Sequence, residues 1–63
     1  MTPDEAVKLA GQWPKDRTVP KQLRVAYDHA KGEDKWKIGM LSEALMAAAD
    51  TQQDIALVAK YFG

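Results

Sequence analysis

The sequence contains no cysteine, which excludes several kinds of site at once. Without thiols there is no disulfide scaffold, no thiolate zinc site, no iron–sulfur cluster and no cysteine nucleophile. Histidine is almost as scarce, because His29 is the only one in the chain. A zinc site needs three or four nitrogen or sulfur ligands, so the sequence predicts no bound metal and no cofactor.

Long hydrophobic runs are also missing. The longest, from Ala44 to Ala49, has six residues, four of which are alanine. A helix that crosses a bilayer needs about 20 apolar residues. The N-terminal segment Met1–Glu5 carries acids where a secretory signal would carry lysine or arginine. The sequence therefore predicts a soluble, cytoplasmic protein with no membrane association.

The chain lacks an excess of either charge, since nine basic side chains balance nine acidic ones. This balance argues against a purely electrostatic nucleic-acid binder and against an acidic mimic of DNA. A chain of 63 residues forms one domain, residues 1–63, and folding buries only about 60% of its extended surface. Such a small core leaves little room for a deep active-site pocket.

Helix-start and helix-stop signals define the first half of the chain. The segment Thr2–Glu5 supplies a cap, a proline in the first turn and a capping box for a helix over about 3–12. Thr18 is expected to cap a second helix over about 20–31. Gly32 supplies the left-handed residue that ends it.

The second half follows the same pattern. Asp34 is expected to cap a third helix over about 35–49, and Thr51 a fourth over about 52–62. No stretch shows the alternation of a β-strand. The sequence therefore predicts an all-α fold, a compact bundle of four short helices.

The third helix has more apolar residues than one stripe can hold. Two faces can be drawn, one of Ile38, Leu41, Leu45 and Ala48 and the other of Trp36, Met40, Ala44 and Ala47. A helix that is apolar around much of its circumference is central in its bundle or offers its second face to a partner. We predict that helix three is central, with a homodimer through it as a further expectation. Gly39 is expected to mark a close helix crossing.

Few residues are suited to catalysis. A nucleophile or base needs an orienting partner within hydrogen-bond reach. His29 is expected to be a solvated residue at a helix end, and Ser42 to ease packing in an alanine-rich helix. The sequence therefore predicts no catalytic residues and no enzymatic activity.

A basic segment over residues 15–24 carries four positive charges and one acid, Asp16. Such a segment can contact phosphates, another protein or only solvent. The nucleic-acid alternative is a small, dimeric DNA-binding transcriptional regulator that uses this segment.

The segment Thr51-Gln52-Gln53-Asp54-Ile55-Ala56 resembles the opening of the first helix of a helix-turn-helix motif, as in phage-repressor-like DNA-binding domains. The resemblance implies a glycine-containing turn and a recognition helix after it. Only residues 57–63 follow here, so the motif is not expected to be complete.

Two tryptophans favour protein binding, because Trp, Tyr and Arg dominate interface energetics. Either tryptophan is also consistent with closing one end of the core, although Trp36 is expected to be partly exposed. The main prediction is a non-catalytic module, an inhibitor or adaptor that occludes a surface of a host protein, as in short phage or mobile-element proteins. Its partner-binding patch is predicted to contain Trp13, Lys15, Arg17, Lys21, Arg24 and Trp36.

Overall fold

Four α-helices and their connecting turns make up the protein, which a computed structural model describes over all 63 residues. In chain order the helices are α1 (Pro3–Ala10), α2 (Val19–His29), α3 (Gly32–Ala47) and α4 (Gln52–Phe62). No strand is present. The predicted all-α bundle of four short helices is confirmed.

One hydrophobic core joins all four helices and the loop between α1 and α2. Its buried residues are Ala6, Trp13, Val19, Leu23, Ile38, Leu45 and Val58. Helix α3 packs against each of the other three helices, and so does α2, whereas α1 and α4 do not pack against each other. The prediction that helix three is central is confirmed, and α2 shares that position.

The two apolar faces of α3 have different surroundings. Ile38 and Leu45 are fully buried, and Leu41 is half-buried against the same core. On the other face, Trp36 is 64% exposed and Met40 is 48% exposed. Helix α3 therefore buries one apolar face and leaves the second without a partner.

Helix α1 ends at Ala10, two residues earlier than predicted. The backbone N–H of Gln12 donates to the carbonyl of Leu9, and that of Trp13 to the carbonyl of Ala10, at 3.0 and 3.1 Å. These bonds span three residues rather than four, so the chain tightens into turns before the Trp13–Pro14 peptide bond, which is cis.

Thr18 does not cap α2 through its side chain. Instead, the carboxylate of Asp16 accepts hydrogen bonds from the backbone N–H and the hydroxyl of Thr18, at 2.9 and 2.6 Å. An aspartate commonly bonds the backbone two residues later in this way. The Thr18 hydroxyl is thereby engaged, and α2 starts at Val19.

The turn between α2 and α3 is shorter than predicted. Helix α2 ends at His29, because Ala30 and Lys31 are extended. Gly32 has a φ of +59°, the predicted left-handed conformation, and α3 starts there instead of at residue 35. Asp34 is therefore not the cap but lies in the first turn, where a carboxylate suits the positive end of the helix dipole.

Helix α3 ends at Ala47 instead of residue 49, because the N–H of Ala49 bonds back only three residues, to Met46. Helix α4 has the predicted bounds. The Thr51 hydroxyl accepts from the N–H of Asp54 at 3.1 Å, and the Asp54 carboxylate accepts from the N–H of Thr51 at 3.2 Å.

Candidate functional site

Trp13, the first residue of the predicted patch, lies in the core. Its side chain is only 5% exposed, and its indole N–H donates to the carbonyl of Leu45 at 2.8 Å. Leu45 lies in the last turn of α3, where carbonyls lack a partner within the helix. Trp13 therefore closes the C-terminal end of α3 and presents almost no surface to a partner.

Arg17 is also engaged within the chain. Its guanidinium forms an ion pair with the carboxylate of Asp54 and donates to the carbonyl of Pro14 at 3.3 Å. It also lies 4.8 Å from the centre of the Trp13 ring, as in a cation–π contact. Arg17 thus joins the loop after α1 to the start of α4.

Asp54 is the buried partner in this ion pair, with 4% exposure. Its carboxylate accepts from the N–H of Asp50 at 2.9 Å as well as from Thr51 and Arg17. The Asp50 hydrogen bond, and then Arg17, lower the pKa of Asp54 from 3.8 to about 2, against the opposing effect of burial. Nothing in the local sequence around Asp54 predicts its pairing with Arg17, which lies 37 positions away.

Arg24 is half-buried and contacts four other residues. It forms an ion pair with Asp28 at 3.1 Å and donates to the carbonyl of Tyr61 at 3.2 Å. Its guanidinium lies 5.3 Å from the ring centre of Tyr27 and 5.9 Å from that of Phe62. Arg24 therefore fixes the C-terminal turn of α4 against α2.

The remaining basic residues of the segment are free in this structure. Lys15 and Lys21 are exposed, and neither has a carboxylate within 4.0 Å. The segment over residues 15–24 thus has two engaged arginines and two solvated lysines, not a continuous row of four available cations. Lys21 borders a shallow cleft beside Met1, Val25 and His29.

Two of the six predicted residues do meet, because Arg24 and Trp36 line the same groove. This groove, of about 340 Å³, lies where α2, α3 and the C-terminus of α4 come together. We call it the α3 groove and define it by Arg24, Tyr27, Trp36, Met40, Glu43 and Phe62. A second depression, lined by Met46 and Val58, continues from it and shares Glu43 and Phe62.

The floor of the α3 groove depends on Gly39. A Cβ atom at this position would lie 2.8 Å from Cε1 of Tyr27, closer than van der Waals contact permits. The Tyr27 ring also meets the Phe62 ring edge to face, with their centres 6.4 Å apart. Gly39 therefore marks a close contact between α3 and α2, and this contact is made with the Tyr27 side chain.

Four residues of the groove were not predicted as site residues: Tyr27, Met40, Glu43 and Phe62. Tyr27 and Phe62 look like ordinary core positions, because both lie on apolar stripes. For Glu43 the sequence gives a weak indication that it is a site residue. It lies between apolar stretches of α3, and the residues four positions before and after it are Gly39 and Ala47. Glu43 therefore has no neighbouring cation on its own helix.

His29 and Ser42 each have a single local hydrogen-bond partner. Nδ1 of His29 lies 2.8 Å from the carbonyl of Val25, so this nitrogen carries the proton that it donates. The Ser42 hydroxyl donates to the carbonyl of Gly39 at 2.8 Å. Neither side chain orients the other.

The comparisons with known proteins give no relative. No family model matches the chain, and no curated protein or solved structure matches it either. No group of three or more histidine, aspartate or glutamate side chains is arranged to hold a metal ion. None of the four helices has the length and apolar character needed to span a membrane.

Proposed function

We propose that this protein is a non-catalytic, cytoplasmic protein-binding module, an inhibitor or adaptor that acts by covering a surface of its partner. The observation that carries the proposal is the position of Trp36, which is 64% exposed at the edge of the α3 groove. Tryptophan is enriched among the residues that dominate binding energy at protein interfaces.

The surroundings of Trp36 support this role. Met40 follows one helical turn later and is 48% exposed, so the two side chains form a continuous apolar surface. Methionine is flexible and polarisable, which suits a surface that adapts to a partner. Arg24 adds a guanidinium that stays in place through its bonds to Asp28 and Tyr61. Anchors held in this way lose little side-chain entropy on binding.

The predicted patch is revised accordingly. We propose Trp36 and Arg24 as partner-binding residues, with Met40 and Phe62 beside them. Trp13 and Arg17 support the fold from within, so their replacement would affect binding indirectly. Lys15 and Lys21 remain free to contribute long-range attraction to an acidic partner.

The test is a capture experiment with tagged protein and lysate, performed with and without nuclease and in about 0.5 M salt, where surface charges are strongly screened. We expect a stoichiometric protein partner that survives nuclease and salt. Trp36→Ala should raise the Kd of the captured complex by about 30-fold, which is the effect of losing about 2 kcal/mol at an interface hot spot.

Ile55→Ala is the matched control, because Ile55 is an exposed apolar residue of α4 that does not line the groove. Equal capture by the Trp36→Ala and Ile55→Ala variants would exclude the α3 groove as the binding site. Loss of all partners on nuclease treatment would instead favour the DNA-binding alternative through residues 15–24. Loss in 0.5 M salt would favour it as well, because phosphate contacts weaken steeply with salt.

A further inference from the structure

The three methionines of the chain all lie outside the hydrophobic core. Met1, Met40 and Met46 are 55%, 48% and 39% exposed. None of them belongs to the buried core or to the partly buried hydrophobic residues that pack against it. Methionine commonly fills gaps in a core, but here it does not. These side chains are therefore open to reagents in solution, and their chemistry can change without a change in the core.

Two of these methionines lie at the proposed binding surface. Met40 lines the α3 groove, one helical turn after Trp36. Met46 lines the depression that continues from this groove. Met1 lies elsewhere, in the shallow cleft beside Lys21. A partner that covers Trp36 therefore also covers Met40, and a partner that extends along α3 covers Met46 as well.

The thioether groups are the only sulfur atoms in the chain that peroxide can oxidise, because there is no cysteine. The sulfur lone pair attacks one oxygen of hydrogen peroxide and the O–O bond breaks. The second oxygen takes up the proton of the first and leaves as water, so the methionine becomes a sulfoxide. The sulfoxide oxygen is polar and accepts hydrogen bonds. Burying it against an apolar partner surface that offers no donor opposes binding.

From position and chemistry together we infer that Met40 and Met46 are oxidation sites, and that their conversion to the sulfoxide prevents a partner from binding at the α3 groove without unfolding the protein. The inference rests on the proposed function, because it concerns the regulation of the same surface. The change is reversible. Methionine sulfoxide reductases restore the thioether, while two thiols supply the electrons, become a disulfide and release the oxygen as water.

Peroxide treatment of the purified, tagged protein, followed by removal of the peroxide, tests the inference. Mass spectrometry should show one added oxygen on each methionine, and circular dichroism and the Tm should remain unchanged. The probe is the protein that the untreated wild type captures from lysate, and a series of bait concentrations gives its apparent Kd. Oxidation should raise this Kd by about tenfold or more, and treatment with the reductases should restore it.

The variant M40L/M46L is the control for other oxidation products. Leucine keeps an apolar side chain of similar size at both positions but has no sulfur. The variant retains Met1 and Trp36, so any effect of peroxide on these two residues remains. Its own Kd before treatment is the reference, and treatment should leave that Kd unchanged. If its Kd rises as much as that of the wild type, the effect comes from another residue and the inference is wrong.

Met40→Gln imitates the sulfoxide without an oxidant, because it introduces a polar carbonyl group on a side chain of similar length. It should raise the Kd by about tenfold. Val25→Gln is the matched variant, because Val25 is equally exposed on α2 and does not line the groove; it should change the Kd little. Equal Kd values for oxidised and untreated wild type would overturn the inference and leave the proposed function in place. Absence of any protein partner for the untreated wild type would overturn both.

Discussion

At the scale of single residues, the two tryptophans of this chain have opposite roles. Trp13 is 5% exposed and supplies a hydrogen bond to the core, whereas Trp36 is 64% exposed. Because both residues are tryptophan, the difference in their exposure comes from their positions in the fold. Trp13 follows the end of α1 and reaches the end of α3, while Trp36 lies on the face of α3 opposite Ile38 and Leu45.

The Trp13 hydrogen bond gives the first prediction. Trp13→Phe keeps an aromatic ring in the core but leaves the carbonyl of Leu45 without its donor. An unsatisfied buried acceptor costs about 1–3 kcal/mol, so the free energy of unfolding should fall by about that amount. Urea titration followed by circular dichroism measures it. Trp36→Phe, which breaks no internal hydrogen bond, should change stability little, and equal losses in both variants would contradict the assignment.

At the scale of helices, the local sequence signals predicted the first residues of the four helices, taken together, more accurately than the last residues. Helix α1 has the predicted capping box and α4 has the predicted threonine cap, because such signals lie within one helical turn. Helix α2 starts one residue early and α3 starts three residues early, and neither has a side-chain cap. A helix that is held by packing on three sides does not depend on its cap to begin.

The crossing of α2 and α3 gives a second prediction. Alanine is favoured over glycine by about 1 kcal/mol in a helix interior. Gly39→Ala should nevertheless destabilise the protein by about 1 kcal/mol, because the new methyl group displaces the Tyr27 ring. Thermal unfolding measures the difference. In a Tyr27→Leu background the same substitution should become stabilising, and a stabilising effect in the native background would disprove the contact.

Gly11→Ala is the control for this prediction. Gly11 has ordinary right-handed angles, and its added Cβ would meet no atom closer than 3.4 Å. This substitution should stabilise the protein by about 0.5 kcal/mol, because it restricts the unfolded chain.

At the scale of the whole molecule, two long-range contacts determine how the ends of the helices come together. Trp13 bonds to Leu45 across 32 positions, and Arg17 pairs with Asp54 across 37. Periodicity and capping rules describe neighbours within about one or two helical turns. They predicted the four helices and the exposure of Trp36, but they contain no information about pairs so far apart. For that reason Trp13 and Arg17 were placed on a surface patch.

The Arg17–Asp54 pair also predicts how the whole fold responds to acid. The folded-state pKa of Asp54 is lowered from 3.8 to about 2, so its ionised form stabilises the folded protein above pH 4. That contribution is lost as the pH falls from about 4 through 2. Asp54→Asn should therefore lower the Tm at pH 7. The difference in Tm between the wild type and this variant should become smaller as the pH approaches 2.

Thermal melts of both proteins from pH 2 to pH 7 provide the measurement. Glu5 and Asp16 also have lowered pKa values, because of their hydrogen bonds with Thr2 and Thr18. Their effect on the pH dependence of the Tm is the same in the wild type and in the Asp54→Asn variant. If the difference in Tm between the two proteins does not change with pH, the ionised carboxylate of Asp54 is not what stabilises the fold.

Because the two tryptophans differ in exposure, their intrinsic fluorescence can be used to follow the protein. The indole of Trp13 is shielded from water, so its fluorescence should be blue-shifted and inaccessible to iodide, whereas that of Trp36 should be red-shifted and readily quenched. Melting of the bundle exposes the first chromophore, and any molecule that docks on the α3 groove shields the second. Emission spectra recorded with and without quencher thus distinguish unfolding of the protein from binding at the α3 groove, without any attached dye.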